Sequence, residues 1–368
     1  MADIAALEAA YKVIVNALSP WAVFGSLDSD PEKNLKLRFR QLSRFVHPDQ
    51  FQNDQKAFYM ANEAMAELNS LYDLAKRQVL DGTYGPAASV SRTSNRRKVV
   101  SEIVFGEKTY RLFEEVIEGD FCQVFSAEMV DKSGAGESVV LKIPIDRADN
   151  DLLDRESDFL RAIQHKSLPV LVDTFKLSDG RKANVLRNIA GGEDLVTVRN
   201  MFPSGLPVEH VVWIMDRLLS VLGYIHINQA IHGLIEPANI MVVPANHNGL
   251  LIDFTFSILN ATQHSAHYTG ANDFTAPEVL ANKHLKPYPT SDMYSLGLSM
   301  LYLLGGDTER ILFPSTLDIR VKSFVGEFLV KDPQLRANDA WAYHKKLRAL
   351  RIDMFGAANQ FLNLNLKK

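Results

Sequence analysis

Apolar and polar positions alternate in two different rhythms along the chain, and the change of rhythm divides it. Up to about Leu80 the apolar residues recur at spacings of three and four, which predicts amphipathic helices. Asp30 followed by Pro31 reads as a helix start, because the carboxylate caps free N–H groups and proline suits the first helical position. Along that helix Leu35, Phe39, Leu42 and Val46 form an apolar stripe, while Lys36, Arg40 and Arg44 repeat on another face. The residue before a proline is biased out of the helical region, so His47-Pro48-Asp49 places a turn. A second long helix follows with Phe58, Ala61, Met65, Leu68, Tyr72 and Ala75 on one side, and two helices joined by an exposed loop predict an antiparallel hairpin.

From Gly82 to Lys98 the chain is small, polar and basic, which reads as an exposed linker. Beyond it, VVSEIVF, TYRLFEEV and ESVVLKI alternate with a period of two and predict antiparallel strands. The helical period returns from about Val208, interrupted by the strand-like runs IMVV and LLIDF. The expected organisation is multidomain: an all-α segment over 1–81, a linker over 82–98, and an α+β unit of two lobes, 99–190 and 191–350, with a tail over 351–368.

Composition narrows the function classes. A hydrophobic fraction of 46% and a charged fraction of 23% over 368 residues belong to a globular protein and exclude collagen-like and wholly disordered chains. Forty Lys and Arg against 44 Asp and Glu leave a net charge of −4, so no global field recruits nucleic acid or membrane. The longest apolar stretches, such as Leu296 to Gly306, read as too short to span a bilayer, and the first residues lack the features of a secretory signal. A single cysteine, Cys122, makes neither an internal disulfide nor a thiolate zinc site, and a reducing, cytoplasmic setting is expected.

The segment from about Pro20 to Gly85, through PWAVFGSL, LRFRQLSRFVHPDQF and AKRQVLDG, resembles a J domain, the co-chaperone module that stimulates ATP hydrolysis by DnaK-type chaperones. That resemblance implies that His47, Pro48 and Asp49 press on the chaperone near its interdomain linker and that Lys36, Arg40 and Arg44 meet an acidic surface. LRFRQLSRFVHPDQF is also similar to the J domain of the iron-sulfur assembly co-chaperone, whose client-binding portion has no counterpart in this sequence.

Farther on stand Val139-Val140-Leu141-Lys142, Glu156 within DRESDFLRAIQH, Ile252-Asp253-Phe254, Ala276-Pro277-Glu278, Asp292 within SDMYSLG, and Asp332-Pro333-x-x-Arg336. In this order they resemble a protein kinase over about Val99 to Leu350. The resemblance implies that Lys142 grips nucleotide phosphates with Glu156 as its ion-pair partner, and that Asn239 and Asp253 hold magnesium. It also implies that Asp292 anchors the catalytic loop, that Arg336 pairs with Glu278, and that ATP and Mg²⁺ are the cofactors.

The departures bear on chemistry. Where the family writes G-x-G-x-x-G-x-V, this chain has Ile117-Glu118-Gly119-Asp120-Phe121-Cys122-Gln123-Val124, so Gly119 alone remains, with an added negative charge at Asp120. Glycines there let backbone N–H groups approach phosphate, and weak or absent nucleotide binding is one expectation. Where the family writes H-R-D-L-K-P-E-N, the chain has His232-Gly233-Leu234-Ile235-Glu236-Pro237-Ala238-Asn239. Leu234 replaces the aspartate that orients the substrate hydroxyl, Glu236 replaces a phosphate-neutralising lysine, and Gly233 replaces an arginine. Hydroxyls at Ser265, Tyr268 and Thr269 point to no specific phosphosite. Three readings follow. The first is a J-type co-chaperone fused to a pseudokinase that binds an unidentified protein client or senses nucleotide. The second is an unconventional Ser/Thr kinase that uses Glu236, or Asp253 with water, as base. The third is a purely structural scaffold.

Overall fold

The computed structural model describes residues 3–17, 19–27, 30–86, 98–132, 134, 136–244, 248–261, 272–282, 288–356 and 364. The chain divides into two compact units, residues 1–94 with 164–166 and residues 95–163 with 167–368.

The first unit is helical: α1 (Ile4–Val15), α2 (Pro20–Phe24), α3 (Pro31–Phe45) and α4 (Gln55–Leu80). The starts are set by capping carboxylates, Asp30 accepting from the Lys33 N–H at 3.2 Å and Asp54 from the Ala57 N–H at 2.9 Å. Helices α1 and α3 pack on α4, burying Leu7, Tyr11, Ile14, Leu35, Ala61 and Leu68. The buried face of α4 is turned from the expected stripe: Ala57, Ala61, Ala64, Leu68, Leu71 and Ala75 are buried, while Phe58, Met65 and Tyr72 are half-buried. Alanines at the contact let the helix backbones approach, and the large side chains fill the margins, where Tyr72 stacks on Phe39 at 4.3 Å. The expected linker begins too early. Thr83 donates to the Gln78 carbonyl at 2.8 Å, and the Tyr84 hydroxyl donates to the Gly25 carbonyl at 2.8 Å, so this segment belongs to the helical unit. Residues 87–97 of that linker lie outside the described residues.

The second unit opens with β1 (Val99–Phe105), β2 (Lys108–Glu118), β3 (Cys122–Val130), β4 (Gly136–Pro144), β5 (Leu171–Lys176) and β6 (Lys182–Arg187). They form one antiparallel sheet in the order β1-β2-β3-β4-β6-β5. The sheet curls: Phe105 of edge strand β1 stacks on Phe175 of edge strand β5 at 4.7 Å, and Lys108 and Tyr110 both donate to Asp173. One face buries Tyr110, Leu112, Val139, Leu141, Phe175 and Val185. The two-residue period sends Lys142 of β4 and Asn184 of β6, which are paired across the strands, to the other face, where α5 (Asn150–Ala162) packs.

The second lobe holds a small sheet of β7 (Glu193–Asp194), β8 (Ile240–Val243) and β9 (Asn248–Leu251). Around it lie α6 (Leu195–Met201), α7 (Val208–Ile227), α8 (Pro277–Ala281), α9 (Pro289–Leu303), α10 (Ile319–Gly326) and α11 (Ala340–Phe355). Helix α7 has the length and apolarity to cross a membrane, yet 83% of its apolar window is buried within the protein, as suits a core helix. Helix α11 continues to Phe355, past the boundary expected at 350. It is fastened to α7 by the buried Asp216, whose carboxylate meets His344 at 3.2 Å and Arg348 at 3.3 Å and is held far below the ordinary range despite its burial. Beside this contact Gly223 of α7 lies against the Trp341 ring, where a Cβ would fall well inside van der Waals contact. Gly223→Ala is therefore expected to destabilise the fold by about 1 to 3 kcal/mol through overpacking, measured by urea unfolding.

Candidate active site

Strand β4, helix α5 and the segment after β9 converge on Lys142. Its ammonium lies 3.1 Å from Glu156 Oε1 and 2.8 Å from Asp253 Oδ1, and the side chain is 6% exposed. Burial alone would lower the lysine pKa, but Asp253 and then Glu156 outweigh it and hold the group cationic, well above its usual range. Asp253 is in turn held below the ordinary carboxylate range against its burial, chiefly by Lys142 and by Thr255. The Thr255 hydroxyl and N–H donate to the same Asp253 Oδ1 at 2.5 and 3.2 Å, so Thr255 clamps the carboxylate.

The catalytic-loop segment is fixed from below by Asp292 of α9. Its buried carboxylate accepts from the N–H groups of His232 and Gly233, both at 3.0 Å, and from His226 Nε2 at 2.9 Å, and these bonds overcome burial and lower its pKa. His232, which burial pushes below its usual value, is neutral. Its Nε2 donates to the Ile252 carbonyl at 3.1 Å, and its Nδ1 accepts from the Leu234 N–H at 3.2 Å. Gly233 sits at φ +79, and a Cβ there would meet the Phe256 carbonyl. The glycine thus has a backbone reason in this structure besides the absence of an arginine side chain.

Asn239 Nδ2 donates to the Leu234 carbonyl at 3.1 Å and to Glu236 Oε1 at 3.2 Å. That places the aliphatic Leu234, the acidic Glu236 and the amide in one cluster. Glu236 Oε2 also accepts from Asn272 at 2.6 Å. Burial first, and then the charges of Asp253, Asp120 and Asp273, push the Glu236 carboxyl up to about 6. Asp253 offers a carboxylate to the cleft and Asn239 an amide oxygen. These are hard oxygen donors that fit a magnesium ion, which takes few protein ligands and completes its shell with phosphate and water.

The glycine-poor turn between β2 and β3 is short. Gly119 donates to the Cys122 carbonyl at 2.9 Å, and Phe121 packs edge-on against Phe256 of the second lobe, ring centroids 5.7 Å apart. Ile117 is exposed, whereas Cys122 already lies in β3 and is buried, its thiol pushed up to about 12 by that burial. Away from the cleft Arg336 makes a two-pronged pair with Glu278 at 2.7 and 2.8 Å, and its other N–H groups reach the carbonyls of Val330, Thr290 and Lys331.

The structure therefore brings Lys142, Glu156, Asp253, Asn239, His232, Gly233, Leu234, Glu236 and Asp292 together, and sets Glu278 with Arg336 as a separate brace. His47, Pro48, Asp49, Lys36, Arg40 and Arg44 belong to the helical unit. Pro48 to Gln50 form a single tight turn there, and His47, Asp49 and the three basic side chains are exposed. Ser265, Tyr268 and Thr269 lie outside the described residues. Motif reading missed Thr255 as a clamp, Asn272 as a partner of Glu236, and Asn184, which donates to Glu156 Oε2 at 3.0 Å. The available signal for Asn184 is a polar residue inside the otherwise buried strand KANVLR.

Comparison with known proteins agrees with this geometry. A family model, the protein kinase domain, matches residues 110–316. Serine/threonine-protein kinase 36 of Pongo abelii is 26% identical over 251 residues, 62% of this chain and 18% of that protein. Serine/threonine-protein kinase TIO of Arabidopsis thaliana is 26% identical over 254 residues, covering 63% and 18% of the two chains. Serine/threonine-protein kinase B of Synechocystis sp. is 30% identical over 179 residues, 45% of this chain and 30% of that protein. The chain thus spans less than a third of the length of each of these relatives.

Folding raises the Glu236 pKa from 4.5 to about 6, so the fold favours the protonated carboxyl, and the resulting penalty is absent below pH 4.5 and complete above 6. Glu236→Gln is expected to stabilise the protein by about 1 kcal/mol at pH 7.5, after allowance for solvent screening of a partly exposed group. The gain should vanish below pH 4.5 when urea midpoints are compared across pH.

Proposed function

We propose, from the premise that the chain belongs to the protein kinase domain family, that its kinase-fold unit holds a magnesium nucleotide without transferring phosphate. The helical unit is, on this reading, a J-type co-chaperone module that stimulates a DnaK-type ATPase. The observation that carries the first half is the combination of an assembled clamp, Lys142 at 3.1 Å from Glu156 and 2.8 Å from Asp253, with Leu234 in the place of the base. A nucleotide's phosphates would meet Lys142, and Asp253 and Asn239 would hold the magnesium ion that neutralises them. Leucine cannot accept the proton of an incoming hydroxyl. Glu236, ionised at neutral pH, opposes the charge that builds on a transferring phosphoryl group.

The second half rests on the sequence resemblance and is supported by exposure. His47 and Asp49 stand on a proline-fixed turn, which presents a carboxylate at low entropic cost, and the exposed Lys36, Arg40 and Arg44 suit an acidic partner. In this arrangement the kinase-fold unit supplies the client or partner surface, in a reducing, cytoplasmic setting that suits a lone thiol. One observation favours an active kinase instead: a Glu236 pKa of about 6 lies close to the working range of a general base.

Two measurements test these statements. Purified protein with γ-labelled ATP and Mg²⁺ or Mn²⁺ is expected to show no transfer above an Asp253→Ala control, and labelling that depends on both Asp253 and Glu236 establishes the kinase reading in its place. The steady-state ATPase rate of a DnaK-type chaperone is expected to rise on adding the chain and to fall back to its unstimulated value with His47→Gln or Asp49→Asn. Equal rates for wild type and both variants would remove the co-chaperone assignment.

A further inference from the structure

Helix α5 bears Glu156, and the strand it packs on presents polar side chains where packing alone asks for apolar ones. On β6, Ala183 and Val185 enter the sheet's hydrophobic core, whereas Lys182 and Asn184 face α5, and both are buried. Asn184 Nδ2 donates to the Leu153 carbonyl at 2.9 Å and to Glu156 Oε2 at 3.0 Å. Both partners are acceptors, so the orientation of the amide is determined. Its Oδ1 is left buried with no partner among the described residues. A leucine would occupy similar volume and strand no polar atom, so space-filling does not account for the asparagine.

Lys182 extends the same contact. Its ammonium donates to Ser157 Oγ at 3.0 Å and pairs with Asp154. Its backbone N–H donates to Asn150 Oδ1 at 2.7 Å, and Asn150 Nδ2 donates to the Gly180 carbonyl at 3.0 Å. The attachment points Asn150, Leu153, Asp154 and Ser157 recur at helical spacing, one side of α5 from its first turn to its middle. With Oε2 of Glu156 held by Asn184, Oε1 is left to receive Lys142 at 3.1 Å and the Phe254 N–H at 3.3 Å.

We propose that Asn184 and Lys182 are positioning residues that rivet α5 to the sheet and keep the Lys142–Glu156 pair assembled in the absence of any ligand. Asn184 acts through Glu156: it fixes the rotation of the carboxylate, which in turn fixes the ammonium. Helix α5 is then a static wall of the cleft and not a swinging part, and a phosphate-bearing ligand meets a clamp whose ordering has already occurred. This goes beyond the nucleotide reading and does not depend on it, because the rivets are made by protein groups alone.

The test uses the nucleotide-free full chain. Hydrogen–deuterium exchange should find the amides of α5 as protected as those of β4 and β6. Asn184→Leu should speed exchange in α5 about tenfold, the scale set by losing a hydrogen bond to a charged group, with α7 and the helical unit unchanged. Lys182→Met should give the same local pattern and serves in its place if Asn184→Leu does not fold. In either variant the Phe254 amide, which donates to Glu156 Oε1 at 3.3 Å from outside α5 and β6, should also exchange about tenfold faster, since a carboxylate no longer held in place does not keep that acceptor in reach. Wild-type α5 exchanging like an exposed helix would overturn the proposal. So would faster exchange spread evenly over the kinase-fold unit, or local loosening of α5 with exchange of the Phe254 amide unchanged.

Discussion

An ammonium group withdrawn from water costs several kcal/mol unless protein charges replace the solvent it has lost. Lys142 is in that position, and the carboxylates that compensate it come from α5 and from the segment after β9, Glu156 at 3.1 Å and Asp253 at 2.8 Å. Three parts of the chain far apart in sequence are thereby obliged to meet at one point. Each carboxylate needs its own support, because a buried acid that rotates away leaves the lysine uncompensated. Asn184 supports Glu156, and the hydroxyl and N–H of Thr255 support Asp253. Much of the cleft can be read as successive consequences of placing that one cation where water does not reach.

A second buried charge organises the opposite wall. Asp292 accepts from two successive backbone N–H groups and a histidine, which holds the loop from His232 to Asn239 in a defined path. Along that loop the residues that shape the backbone follow the kinase pattern, His232 and Asn239 among them. Those that would act on a phosphoryl group depart from it, at Leu234 and Glu236. The loop's backbone anchors are therefore in place, while its side chains at Leu234 and Glu236 differ from the pattern. Glu236 is not left as a bare charge either, since Asn239 and Asn272 both donate to it.

Much of this was legible in the sequence. Lys142, Glu156, Asn239, Asp253, Glu278 and Arg336 stand in short motifs whose order resembles a protein kinase, and that resemblance implied their pairings, while alternation of apolar residues placed the strands. What was not legible depends on register between distant segments. Asn184 matters because β4 and β6 align it with Lys142 on one face, a pairing that no local window contains. The hydroxyl of Thr255 holds Asp253, a contact that the motif Ile252-Asp253-Phe254 does not announce. Gly233 read as a missing arginine, whereas its positive φ and the nearby Phe256 carbonyl give the glycine a steric role. In the helical unit the hairpin, its caps and its turn followed from Asp30, Pro31 and Pro48, but the rotation of α4 did not. Six of its buried positions are held by alanine and leucine, and a stripe drawn through the largest side chains misplaces the contact face.

The central claim is that the clamp around Lys142 is complete enough to hold a nucleotide although the loop beneath it carries Leu234 in place of the family's aspartate. Calorimetric titration of the full chain with ATP and Mg²⁺, set against Lys142→Met, tests it most directly. Saturable binding of one nucleotide per chain, lost in the variant, is the predicted result. No binding by the wild type at millimolar ATP, or equal binding by both proteins, would contradict it.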